Sequence, residues 1–87
     1  MSSAPPVKPG DWIKVGSIDC VVSHVRGVEP MVGDLEVVCN PDQPAAYQVN
    51  WEDGAWVFAH PMHGIVAERV PRLEQYVAIL RKGRSAR

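Results

Sequence analysis

The sequence predicts a mainly β domain, a small and partly open antiparallel barrel of about five strands with one C-terminal amphipathic α-helix. Three observations carry this. Short runs of alternating apolar residues recur at close spacing between turn residues. Two pairs of such runs meet across dipeptides, Gly16-Ser17 and Asp53-Gly54, that suit two-residue hairpin loops. Only residues 71–82 repeat their apolar positions at helical spacing.

Residues 1–9 contain three prolines and two serines with little to bury, and read as a flexible leader to a single domain spanning 10–83. The first hairpin runs from Asp11 to His24, with Gly16 at the loop position a type II′ turn prefers. Its register pairs Val15 with Ile18, Lys14 with Asp19, Ile13 with Cys20 and Trp12 with Val21. Ile13, Val15, Ile18, Cys20 and Val22 then share a core face. Trp12 and Val21 fall on the outer face. Residues 26–34, with two glycines and a proline among Arg26, Val28, Met31 and Val32, read as a long loop. Leu35 to Cys39 is a third strand with Leu35, Val37 and Cys39 on one face, stopped by Asn40-Pro41-Asp42-Gln43-Pro44.

The second hairpin, Tyr47 to His60, is the most strongly specified element. Asp53-Gly54 supplies the positive φ angles of a type I′ turn, which sets Trp51 opposite Trp56 and Val49 opposite Phe58. Tyr47, Val49, Trp51, Trp56, Phe58 and His60 therefore share one face, and burying each large side chain there contributes about 1.5–3 kcal/mol. Such a face needs a partner layer. Pro61 ends the strand, and Ile65 to Glu68 reads as a brief strand or extended connection. In the helix, with Pro71 at its first position and Gly83 as its C-cap, Leu73, Tyr76, Val77 and Leu80 form one stripe. That stripe is expected to dock on the sheet, with the aromatic face as the surface it needs, or to plug an open barrel end.

Two stretches resemble known proteins. Pro9-Gly-Asp-Trp-Ile-Lys-Val-Gly16 is similar to the first strand of many SH3-like barrels. Residues 71–83, preceded by the Trp56-x-Phe58 strand, look like the end of small bacterial proteins of unassigned function. Together they cover about a third to a half of the chain. The resemblance implies an SH3-like barrel of bacterial origin and brings no site residue with it.

Composition narrows function only by exclusion. The 87 residues suit one domain with a small core, no apolar run approaches membrane-spanning length, and the absence of a signal-type segment makes the cytoplasm the expected location. Formal net charge is −1, but residues 69–87 carry Arg69, Arg72, Arg81, Lys82, Arg84 and Arg87 against Glu74 alone, with 84–87 a basic tail. This is the usual placement of cations at a helix C-terminus, and with Trp12, Tyr47, Trp51 and Trp56 as stacking surfaces it is also a candidate nucleic-acid patch. The acidic strand residues Asp11, Asp19, Glu36, Glu52 and Asp53 oppose a phosphate backbone.

His60-x-x-His63 lacks the tightly spaced ligand pairs of zinc motifs, since Cys20 and Cys39 lie far apart in sequence. The two cysteines could form one bridge, but without a secretory signal they are expected as buried thiols. No nucleophile, base and orienting group are set up together, so no catalytic residue, metal or cofactor is assigned. The expectation is a non-enzymatic protein-interaction module, monomeric or weakly self-associating, whose partner is a protein or peptide of unknown identity and whose candidate patch is Trp12, Val21, Arg26 and Met31. The alternatives are weak nucleic-acid binding through the basic end and a structural role in a larger assembly.

Overall fold

The computed structural model describes residues 6–25 and 34–83. It contains β1 (Trp12–Val15), β2 (Ile18–Val25), β3 (Asp34–Cys39), β4 (Ala45–Glu52), β5 (Ala55–Phe58), β6 (Ile65–Val66) and α1 (Glu74–Lys82), with single 3-10 turns at Ala67–Arg69 and Pro71–Leu73. The strands pair in the order β3-β2-β1-β5-β4, and β3 also pairs with β4, so five strands close a barrel. All pairings are antiparallel except β1 with β5, a seam made at the single register pair Val15 and Trp56. This is compatible with an SH3-like barrel. The short β6 adds to the edge of β4 beside β5.

Both hairpins adopt the registers their loops dictate. Asp53 and Gly54 take φ of 51° and 80°, as a type I′ turn demands, and Trp51 faces Trp56. Gly16 takes φ of 65°, and Trp12 faces Val21. One irregularity was not predicted: β2 bulges between Val22 and His24 where it pairs with β3. The extra residue resets the in-out alternation. Val25 rather than His24 then packs on the barrel interior.

That interior is built from Ile13, Val15, Cys20, Val22, Leu35, Val37, Cys39, Val49 and Trp56, with Tyr47, Trp51 and Phe58 partly buried against them. The aromatic face is therefore core, as its register implies, but its partner layer is the other side of the barrel. The helix lies elsewhere. A second cluster on the outside of the sheet joins Val21, Val38 and Ala46 to Ala67, Leu73, Val77 and Leu80, flanked by Trp12, Val70, Tyr76 and Ile79. The helix stripe thus covers the outer face of β2 and β3. Two expectations are corrected here. The stripe docks on the sheet, as expected, but on its outer face and not on the aromatic one, and Val21 has no exposed surface while Trp12 packs beside the helix. Ile18 also departs from expectation: it shares the core face in register but is 45% exposed at the barrel rim. The chain engages the barrel before Gly10, with Val7 packed on the interior cluster and the Lys8 N–H bonded to Asp11 Oδ2 at 3.0 Å.

An ion pair fastens the start of the helical segment. Glu36, on the outer face of β3 and only 5% exposed, accepts from Arg72 Nη1 at 2.7 Å and Nη2 at 2.9 Å, while the bulged Ser23 places its hydroxyl 2.8 Å from the same carboxylate. A paired fork of this kind is directional as well as charged. Arg72→Ala should therefore cost about 1–3 kcal/mol, because it takes two charge-assisted hydrogen bonds from a carboxylate that folding has desolvated. Urea denaturation followed by circular dichroism checks this; a midpoint equal to the parent's would show that the pair contributes nothing.

Candidate functional site

The barrel has two unlike ends. At one, β1 stops, β2 begins, β3 stops, β4 begins and β5 stops, and here Ile18, Cys39, Asn40, Tyr47, Phe58 and Pro61 surround an open pocket of about 480 Å³. The side chains are in place for local reasons. Pro61 removes a ladder donor and turns the chain away after β5, while Asn40 takes a left-handed φ of 67° that ends β3 and turns the chain over the mouth. Tyr47 packs edge-on against Phe58 with ring centroids 5.3 Å apart. Its far side is set by Gly64: a Cβ there would come within 2.6 Å of the Tyr47 ring. The lining is chiefly apolar.

Tyr47 is also shared with two smaller clefts. One adds Glu36, Ala46, Gln48, His60, His63 and Ile65; the other adds Gln43, Pro44, Ala45, Val66 and Glu68. The exposed large hydrophobic residues among those described are Ile18, Met62, Ile65 and Val66. Ile18 lines the pocket itself, Ile65 and Val66 line the two clefts, and Met62 follows Pro61 in the chain. Three of these four described residues thus border openings that Tyr47 also lines.

Of the residues the sequence singled out, Trp12 and Val21 belong to the helix-covered cluster, and Arg26 and Met31 lie outside the described residues. Of these four, Val21 has no exposed surface to offer. Within the basic set, Arg72 is engaged by Glu36, which raises its pKa further above the ordinary value through hydrogen bonding, and Arg81 binds Glu68 at 3.0 Å and the Pro41 carbonyl at 3.3 Å. Arg69 and Lys82 are exposed, and Arg84 and Arg87 lie outside the described residues. The rings of His60 and His63 sit 6.0 Å apart at the surface. Among the described residues no three His, Cys, Asp or Glu side chains converge as a metal site. Nor is any described helix long and apolar enough to cross a membrane.

The pocket itself was missed by sequence reasoning. Its residues come from five separate places in the chain, and only Tyr47 and Phe58 were placed near each other by a readable register. Ile18 was assigned to the core because alternation specifies a face and not a depth. The sequence allows a bridge between the two cysteines without placing them side by side: the register of β2 with β3 sets Val21 opposite Val38, so Cys20 and Cys39 are the next pair along, both pointing into the barrel. No protein-family model, curated protein or solved structure matches the chain.

Proposed function

We propose that the protein is a non-enzymatic binding module, and that the pocket bounded by Ile18, Tyr47, Phe58 and Pro61 receives a large apolar side chain from a short segment of a partner protein. The observation that carries this reading is the convergence of Ile18, Ile65 and Val66, with Met62 nearby in the chain, on the surroundings of Tyr47. Exposed apolar residues scattered singly need no explanation, whereas a cluster beside a concave apolar pocket is how anchor residues are accepted. A volume of about 480 Å³ suits one aromatic or long aliphatic side chain with its neighbours. The nucleic-acid alternative is weakened by Arg72 and Arg81 being held in ion pairs with Glu36 and Glu68.

Selection of peptides from a random display library against the folded domain tests this. Binders should carry an aromatic or large aliphatic anchor. Ile18→Glu should leave stability within about 0.5 kcal/mol of the parent, as surface changes do, and reduce peptide affinity at least tenfold by placing a charge at the pocket rim. Gly64→Ala should act similarly by pushing the Tyr47 ring from its place. Peptides that bind all three proteins equally would move the site away from this end of the barrel.

A further inference from the structure

We propose that Cys20 and Cys39 form a redox-active dithiol on the inner wall of the barrel, oxidised to a cross-strand disulfide by an organic hydroperoxide that reaches Cys39 through the apolar pocket. This does not rest on peptide binding, since the two uses of the pocket are independent. The placement follows from the register. One step beyond Val21 and Val38, the two cysteines oppose each other on antiparallel β2 and β3 with both side chains inward. Directly opposed residues in such a ladder have Cα atoms about 4.5–5.5 Å apart, inside the range of about 4.4–6.8 Å that a disulfide spans. Both are free thiols.

Their surroundings are unequal in a way that assigns roles. Cys20 has no exposed surface, whereas Cys39 keeps 4% of its own and lines the pocket. The Cys20 thiol has two acceptors, the Ile18 carbonyl oxygen at 3.7 Å and the Cys39 sulfur. When Cys39 ionises, its sulfur becomes the stronger acceptor, and this hydrogen bond from Cys20 pulls the Cys39 pKa below the usual thiol value against the opposing effect of burial. The same donation, with burial and the charge of Cys39, holds Cys20 protonated. Thiolate character and access decide which sulfur reacts first, and both favour Cys39. The apolar lining formed by Ile18, Phe58 and Pro61 favours an organic hydroperoxide over a small hydrated oxidant.

The chemistry balances in two steps. The Cys39 thiolate attacks one oxygen of the hydroperoxide; an S–O bond forms, the O–O bond breaks, and the alkoxide takes a proton from water and leaves as the alcohol. The Cys20 sulfur then attacks the sulfenic sulfur of Cys39; the S–S bond forms, the S–O bond breaks, and the departing hydroxide takes the Cys20 proton and leaves as water. Two thiols lose two electrons and the peroxide gains them.

Cumene hydroperoxide is a suitable probe on the full chain, with hydrogen peroxide at equal concentration as the second arm. The folded protein should lose both titratable thiols, become two hydrogens lighter by intact mass, and melt at a higher temperature until a dithiol reductant restores it. Cumene hydroperoxide should act faster than hydrogen peroxide. In Cys20→Ala the reaction should stop at a sulfenic acid on Cys39, trapped by dimedone, and Cys39→Ala should leave Cys20 unreacted. Should either variant fail to fold, brief dimedone trapping in the parent followed by peptide mapping gives the same answer, with the adduct on Cys39. Thiols that react only in urea, an adduct found first on Cys20, or faster oxidation by hydrogen peroxide would each overturn the proposal.

Discussion

Replacing Trp56 by alanine should lower stability by about 3–5 kcal/mol, the range for deleting a large aromatic side chain from a packed interior. Trp56 is 6% exposed and belongs to the barrel core, where its ring meets that of Trp51 edge-on at 5.0 Å. It also occupies the position paired with Val15, the one register pair that joins β1 to β5. Truncation therefore opens a cavity at the seam that closes the barrel. In a domain whose whole stability is expected within about 5–15 kcal/mol, that loss takes the chain close to unfolding at ambient temperature. Trp51→Ala should cost less, because Trp51 is only half-buried. Gln48→Ala, on the opposite face of β4, should be nearly silent. Far-ultraviolet circular dichroism in urea measures all three without depending on tryptophan emission. A Trp56→Ala protein that unfolds with the parent would mean that the barrel interior is not packed around this ring.

The contrast among these positions shows what could be read before the fold was known. Register was legible wherever a two-residue loop joins two strands, because the loop type fixes which residues oppose. This gave the hairpins at Gly16-Ser17 and Asp53-Gly54, and with them the shared face of Tyr47, Val49, Trp51, Trp56 and Phe58. It failed between β2 and β3, which residues 26–33 connect without any such constraint. The pairing of Cys20 with Cys39 and the bulge at Ser23 both depend on that register, so neither could be derived. The bond from Arg72 to Glu36 spans 36 positions and depends on where the helix lands, so it was invisible for the same reason.

A signal for the helix's destination was nevertheless present. Cys20-Val21-Val22 and Val37-Val38-Cys39 are apolar at every position, a pattern of strands covered on both faces and not of strands with one face in water. Alternation assigns the inward set to the core and leaves the outward Val21 to a surface patch and Val38 without a role. Both belong to the outer cluster that joins the sheet to α1. The pocket at the barrel end had no comparable signal, because it is lined by strand termini whose exposure depends on barrel closure and not on local alternation.

Leu73→Ala should cost about 2–5 kcal/mol, as much as an interior barrel residue, although Leu73 contributes nothing to the barrel interior. The side chain is fully buried in the outer cluster, at the end of the 3-10 turn that leads into α1. Its removal leaves Val21 and Val38 covered by a helix of nine residues, too short to persist without its docking contacts. The loss should therefore spread along α1 to Val77 and Leu80. Double-mutant cycles separate this arrangement from one in which the helix sits over the aromatic end. Leu73→Ala combined with Val38→Ala should show coupling of about 0.5–3 kcal/mol, whereas Leu73→Ala with Val49→Ala, which lies in the other cluster, should be additive within about 0.5 kcal/mol. Trp12 supplies an independent optical report, because it is the only tryptophan beside the helix. In a background with Trp51 and Trp56 replaced by phenylalanine, Leu73→Ala should shift Trp12 emission to longer wavelength as the helix loosens and water reaches the indole. Coupling to Val49 with none to Val38, and an unmoved Trp12 spectrum, would place the helix stripe on the barrel end and undo the assignment of the outer cluster.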